Sequence, residues 1–236
     1  MDLITLTSSD FSDELKKLPV IIPIGLIEAH GPHLPISVDL ATVDFFSKKI
    51  AENTGVILAP MINYGFADEM SEYPGTIGIK PETLATLIQD ICISFLEKGF
   101  QNLIFLSGHG ANKMPVEMAF WRVWERYPNM KAVYWNYWSE AGVNGIHHAD
   151  KGETEICMSI GIPVQMDKVK DFKVGKPWFK IRSRYAIIPH SGGINGEPSK
   201  ADIKQGELYR EQIISILTDK VNEIKIDIQN NSRGVI

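Results

Sequence analysis

The chain has 236 residues, 44% of them hydrophobic, with 24 Lys and Arg against 29 Asp and Glu. That length fits a single domain spanning residues 1–236 with one sizeable core. The mild acidity argues against a nucleic-acid surface, which needs a basic face, and the short basic run Lys180 to Arg184 reads as a solvated loop. No apolar run approaches the roughly 20 residues of a membrane helix, and Met1-Asp2-Leu3-Ile4 has neither the basic nor the apolar region of a signal peptide. Cys92 and Cys157 sit in apolar stretches and read as buried free thiols, so a cytoplasmic location is expected.

Pro19 to Gly25 (PVIIPIG) is a continuous apolar run closed by glycine, the pattern of a strand buried on both faces. Leu40 to Asn53 has helical spacing, with Val43, Phe46 and Ile50 on one stripe and Asp39 at the expected N-cap. Val56 to Pro60 reads as a second strand. Pro81 to Lys98 is a helix with Pro in its first turn and Gly99 as its stop. Asn102 to Ser107 is a third strand, Met114 to Arg126 a helix, and Ala132 to Trp138 a fourth strand. A helix is expected from Glu153 to Ile160 and another from Ala201 to about Ile224. Strands alternating with helices predict an α/β fold, a largely parallel sheet covered on both sides. Phe172 to Pro198, rich in Gly and Pro, is compatible with short strands or with a flap over a pocket.

Chemistry-bearing residues gather at three places, each just after a predicted strand. The first is Glu28-Ala29-His30-Gly31-Pro32-His33-Leu34-Pro35, followed by Asp39. In extended chain Glu28 and His30 point the same way, and Gly31 with the two prolines makes a rigid turn that can bring Asp39 back towards them. Two carboxylates and an imidazole suit Zn, Mn or Fe. The second is Gly108-His109-Gly110-Ala111-Asn112, where glycines place an imidazole at a strand mouth. The third is His147-His148-Ala149-Asp150-Lys151-Gly152-Glu153-Thr154-Glu155, whose acids also suit a helix N-terminus. Ligands of open α/β sheets bind outside the carboxyl ends of strands, and five of the six histidines lie in these clusters. Convergence of that kind points to a metal site.

Glu28-x-His30-Gly-Pro-His-Leu-Pro with Asp39, Tyr73-Pro74-Gly75-Thr76, Gly108-His109-Gly110-x-Asn112, His148-Ala149-x-x-x-Glu153-Thr154 and Gly193-x-x-Gly196-x-Pro198 together resemble the creatininase (creatinine amidohydrolase) family. The resemblance implies a three-layer α/β/α sandwich, two divalent metal ions (Zn first, Mn or Fe as alternatives) and a homo-oligomer, often a hexamer. It implies Glu28, His30, Asp39, His109 and Glu153 as metal ligands, with Asp39 bridging, and His148 as proton shuttle. His33 and Glu155 are left outside the ligand set. Trp138 matches one aromatic wall of the substrate pocket. Asn144 stands where creatininase itself has a second, a tryptophan, and Ala111 where it has a glutamate. These two departures imply a small-molecule substrate other than creatinine.

The expected activity is amidohydrolysis of a cyclic amide or formamide C–N bond through a metal-activated water, with His148 protonating the leaving nitrogen. The alternatives are C–C ring opening of a keto-inositol by similar metal chemistry, and a non-catalytic metal- or ligand-binding protein. A serine hydrolase is disfavoured, because Ser107-Gly108-His109 is no Gly-x-Ser-x-Gly elbow.

Overall fold

The structure, a computed structural model, describes residues 1–67, 69–172 and 192–232. Its elements in chain order are α1 (Asp13–Lys16), β1 (Val20–Ile24), α2 (Val38–Thr54), β2 (Ile57–Leu58), α3 (Pro81–Glu97), β3 (Asn102–Ser107), α4 (Lys113–Trp124), β4 (Lys131–Asn136), α5 (Tyr137–Glu140), α6 (Lys151–Ser159) and α7 (Ile203–Ser232). The four strands form one sheet in the order β2-β1-β3-β4, and every pairing is parallel. This is the α/β architecture that the alternation of elements predicts.

Side-chain alternation along the strands sorts the core into two layers. Val20, Ile22 and Ile24 of β1 with Leu103 and Phe105 of β3 face α3 and α4, meeting Leu84, Ile88, Val116 and Phe120. Ile21, Ile104 and Leu106 face the other way, onto Val43, Phe46 and Ile50 of α2 and Ile213, Leu217 and Val221 of α7. Cys92 and Cys157 are buried and unpaired. No helix among the described residues is long and apolar enough to cross a membrane.

Several expected boundaries shift. Ser37, not Asp39, occupies the N-cap of α2, and Asp39 lies inside the first turn, where its side chain is free to serve the site. The second strand shrinks to Ile57–Leu58, ahead of Pro60, which has no N–H to offer a ladder. The fourth strand stops at Asn136, whose side chain accepts from Ser139 N (3.4 Å) and starts α5, so Trp138 is helical. The last helix runs on to Ser232. Of the Phe172 to Pro198 stretch, residues 173–191 lie outside the described residues, as does the basic run Lys180 to Arg184.

Two glycines fix how closely α2 approaches the strand ends. A Cβ on Gly108 would stand 2.1 Å from the Asp39 carbonyl oxygen, and one on Gly25 would stand 3.0 Å from the same atom. At Gly25 the nearest atom is the movable Leu40 Cδ2 at 2.7 Å, whereas at Gly108 the obstacle is backbone and cannot swing aside. Gly108→Ala should therefore cost about 1–3 kcal/mol, as overpacking does. Gly110→Ala, whose Cβ meets nothing within 4 Å, should stay within about 0.5 kcal/mol of the parent. Denaturant unfolding of the two variants side by side checks this, and equal stabilities would refute the close-approach account.

Candidate metal centre

The loop after β1 is held on both sides. Ala29 N donates to Thr76 Oγ1 (3.0 Å), and Ile77 N and Glu28 N donate to the carbonyls of Ile27 and Ile36 (both 2.9 Å). The Tyr73 to Thr76 turn is thus a brace for the Glu28 loop. Within it His30 Nδ1 donates to Glu28 O (3.0 Å). A carbonyl can only accept, so this bond leaves the lone pair on Nε2. That nitrogen lies 3.3 Å from Asp39 Oδ1 and 3.6 Å from Glu153 Oε2.

The other half of the cluster grows from β3. His109 Nδ1 is 3.0 Å from Glu28 Oε2 and 3.3 Å from Asp39 Oδ2. The His109 backbone is clamped: its N–H donates to Ser107 Oγ (3.1 Å), while its carbonyl accepts from Ser107 Oγ (2.7 Å) and Tyr134 Oη (3.0 Å). Fully buried Asn112 accepts from Phe66 N (2.9 Å) and donates to Gly25 O (3.4 Å), tying the glycine turn to its neighbours.

The third contribution comes from α6. Asp150 caps the helix, accepting from Glu153 N (3.0 Å) and His147 N (2.9 Å). Ala149 N donates back to Glu153 Oε2. Ala149 adopts φ 49°, a left-handed conformation that costs a non-glycine residue on the order of 1 kcal/mol. His148 is half-buried, 24% exposed, with Nε2 donating to Ala29 O (2.8 Å) and Nδ1 3.9 Å from Glu28 Oε2. A strap lies over these loops: Asn195 N donates to His148 O (2.8 Å). Gly193 and Gly196 pack so tightly on Gly31 N and Asp150 that added Cβ atoms would come within 3.2 and 2.5 Å.

Glu28, His30, Asp39, His109 and Glu153, all buried, and His148 therefore meet at one point outside the ends of β1 and β3. Candidate ligand atoms lie within 4.8 Å of one another in three groups: Glu28-Asp39-His109, His30-Asp39-Glu153 and Glu28-His30-His148. Trp138 is partly buried and edge-on to Tyr137, with ring centroids 4.8 Å apart. Asn144 is exposed and donates to Gly142 O (3.2 Å), with no recorded contact to the cluster among the described residues. Asp150 braces the site through a local cap, whereas the partners of Tyr134 and the buried His33 lie 25 and 121 residues away, too distant in sequence for spacing to signal them. Glu155 accepts from Asp202 N (3.0 Å), tying the α6–α7 junction away from the cluster.

The electrostatics are those of a site built for cations. Burial alone would depress His30, yet Asp39, Glu153 and Glu28 override it and push its pKa up to about 10. His109 is likewise raised by Glu28 and Asp39 against the penalty of burial. Burial opposes ionisation of Asp39, but His30 and His109 hold its carboxyl well below the usual range. Burial lifts Glu153 to about 8 despite His30 and raises Glu28 as well. Both Glu28 oxygens, His30 Nε2, Asp39 Oδ2 and His109 Nε2 are buried without a hydrogen-bond partner among the described residues. Buried orphans of this kind are costly unless something satisfies them. Divalent cations fit that donor set, replacing the protons that the carboxylates otherwise hold on the imidazoles.

A parallel sheet with a buried carboxylate and histidine cluster at its strand ends is the frame of a metal-dependent hydrolase. The chain belongs to the creatininase family, whose model (creatinine amidohydrolase) matches residues 5–221. It is 24% identical over 233 residues to the creatinine amidohydrolase of Pseudomonas putida, covering 86% of this chain and 88% of the relative. It is 25% identical over 219 residues to the mycofactocin precursor peptide peptidase of Mycolicibacterium smegmatis, covering 88% and 86%. A 3-dehydro-scyllo-inosose hydrolase of Thermotoga maritima matches at 32% over 108 residues, 45% of this chain and 35% of that one. Among solved structures, a Zn-Zn form of creatininase superposes with a TM-score of 0.82 at 21% identity, covering 94% of this chain and 97% of the other. A manganese form gives the same TM-score, identity and coverage.

The raised proton affinities set a pH dependence for the metal-free protein. Where the folded state binds protons more tightly than the unfolded one, stability is present below the unfolded pKa and is lost as pH rises through the folded value. His30, raised from 6.5 to about 10, and Glu153, raised from 4.5 to about 8, both have this sign. The chelated protein should therefore lose thermal stability as pH rises, through Glu153 between about pH 4.5 and 8 and through His30 between about pH 6.5 and 10, most steeply where the two ranges overlap. Zinc should flatten that slope, because the cation stands where the protons were. A Tm of the chelated protein that does not fall across this window would contradict the electrostatic picture.

Proposed function

We propose that the chain is a dinuclear metal-dependent amidohydrolase acting on the C–N bond of a small cyclic amide or formamide. The observation that carries this reading is the position of Asp39. Its Oδ2 faces His109 and its Oδ1 faces His30, each at 3.3 Å. Glu28 completes the first half and Glu153 the second. On this reading Asp39 would serve both donor groups, with Glu28 and His109 holding one divalent ion and His30 and Glu153 the other. Carboxylate and imidazole donors suit zinc, with manganese or iron as alternatives. Ions bound there would supply Lewis acidity and a water acidified enough to attack a carbonyl at neutral pH.

His148 is the residue placed to move protons. Its Nε2–H is committed to Ala29 O, so Nδ1 carries the lone pair. In the metal-free protein, burial and the charge on His30 hold its pKa down to about 3, which keeps the imidazole neutral. It takes the proton from the attacking water at Nδ1 and returns it to the departing nitrogen. A protein that merely stores metal needs no such half-exposed imidazole beside the cluster. Trp138 supplies one wall of the substrate pocket. Asn144 and Ala111, where creatininase has an aromatic ring and a carboxylate, turn the preference away from creatinine. Amide cleavage is favoured over ring opening of a keto-inositol, because the two relatives matched along most of the chain are named for amide hydrolysis. Product analysis separates the two. The same reading includes assembly as a closed homo-oligomer.

Asp39→Asn and Glu28→Gln should each abolish activity and reduce bound metal while the far-ultraviolet spectrum stays native, since a neutral amide cannot balance two cations. Unchanged metal stoichiometry in Asp39→Asn would remove the bridging assignment. His148→Ala should keep its metal and lose about 10²–10⁴-fold in kcat, whereas His147→Ala, altering an exposed side chain, should remain active. Metal loss in His148→Ala would make His148 a ligand, as its place in the Glu28-His30-His148 group permits.

A further inference from the structure

One buried imidazole near the centre has no part in the mechanism above. His33 is fully buried, and its Nε2 lies 3.0 Å from Thr154 Oγ1, 121 residues away in sequence. The direction of this bond follows from the hydroxyl's other partner. Thr154 Oγ1 donates its single proton to Asp150 O at 2.6 Å, so towards His33 it can only accept. His33 is therefore the donor through Nε2–H. Its Nδ1 has no partner among the described residues and sits against Gly31, where an added Cβ would lie 3.1 Å away.

The bond joins the two segments that face each other across the second half of the centre. On one side His33 follows His30 by one rigid Gly31-Pro32 turn. On the other, Thr154 adjoins Glu153 in the first turn of α6, and its hydroxyl is tied to the same Asp150 that caps Glu153 N. The His33 carbonyl also accepts from Gln165 N (2.8 Å), so the segment beyond α6 docks on the same residue. Apart from this bond, the two segments meet through His148 Nε2, which donates to Ala29 O (2.8 Å) at the far end of the loop, and through apolar contacts of Leu34 with Ala149 and Cys157. Such apolar contacts are non-directional and fix a spacing only loosely. A hydrogen bond between two buried, singly oriented groups fixes it within tenths of an ångström.

We propose that His33 and Thr154 form a positioning pair that sets the distance between His30 and Glu153, and so controls how tightly the half-site they make with Asp39 holds its cation. The proposal rests on the dinuclear reading above. Neither residue touches the ion or the substrate. Partners that orient ligands from outside the coordination sphere are typically worth 10–100-fold in metal affinity.

The test measures zinc affinity by competition titration, with cobalt(II) absorption as a second probe of ligand geometry, on the full chain and on Thr154→Val, Thr154→Ser, His33→Phe and the Val/Phe double variant. Thr154→Val and His33→Phe should each weaken one of two ions by about 10–100-fold, leaving the other within about threefold and changing the cobalt spectrum. Thr154→Ser, which keeps the hydroxyl, should bind like the parent. The double variant should be no weaker than the worse single variant, because one bond is lost only once. Melting of the metal-free proteins runs alongside. Lowered Tm with parental affinity for both ions would make the bond a plain structural tie and overturn the proposal, as would additive losses in the double variant. A parent chain that binds no zinc or cobalt would overturn the dinuclear reading and this proposal with it. A parent that binds two ions as tightly as its variants would overturn only the pair.

Discussion

The centre depends on how near the first turn of α2 lies to the ends of β1 and β3. An aspartate side chain has only two rotatable bonds, so both its oxygens can serve imidazoles on opposite sides only if its backbone is brought to the middle. Gly108 makes that possible, since any side chain there would collide with the Asp39 backbone, and Gly25 leaves a second close approach to the same carbonyl. The first-turn location adds a second effect. Unpaired N–H groups at a helix start carry partial positive charge, which favours the ionised carboxylate that burial opposes. The topology supplies the rest: β1 and β3 are neighbours in the sheet although β2 intervenes in sequence, so loops leaving them converge on one crevice.

Once these groups are together, their local conformations become intelligible as consequences. Burying carboxylates costs several kcal/mol apiece unless opposite charge is supplied. The imidazoles supply it only by taking protons, which explains why His30 and His109 hold theirs so firmly. The left-handed Ala149 is a second such consequence, because that turn lets its N–H meet Glu153 Oε2. Gly196 packs on Asp150 beside the same turn, and Gly193 on Gly31 of the facing loop, both too close for an added Cβ to sit without displacing its neighbour. Two layered apolar cores offset these local costs, with β1 and β3 buried along their whole length.

The parts of this structure legible in the sequence are those whose cause is local. β3 falls at its expected residues, because an apolar run ending in Ser-Gly needs no distant information. α3 falls within one residue, its proline and glycine punctuating it as isolated helices require. The residues of the cluster stand out in the sequence because histidines and acids follow predicted strands three times. Asp39 was misplaced by one rule overriding another: an aspartate ahead of a helical stripe is a good N-cap, but here its oxygens turn to His30 and His109. Trp138 fell outside its strand because the Asn136 cap, a side-chain bond that periodicity does not record, begins α5 two residues earlier. The bond between His33 and Thr154 was wholly illegible. Each residue looks ordinary by itself, and only tertiary structure brings them across 121 positions.

Charge balance gives the departure at Ala111 a physical meaning. On the proposed ligand set three carboxylates, Glu28, Asp39 and Glu153, face the two ions. Two divalent cations carry four positive charges, so the centre keeps one positive charge before any water or substrate enters. A glutamate at position 111, which creatininase has, would cancel it. On the proposed reading, alanine there would favour a neutral carbonyl that gains negative charge as it is attacked, since transition-state charge is stabilised most by a field already in place.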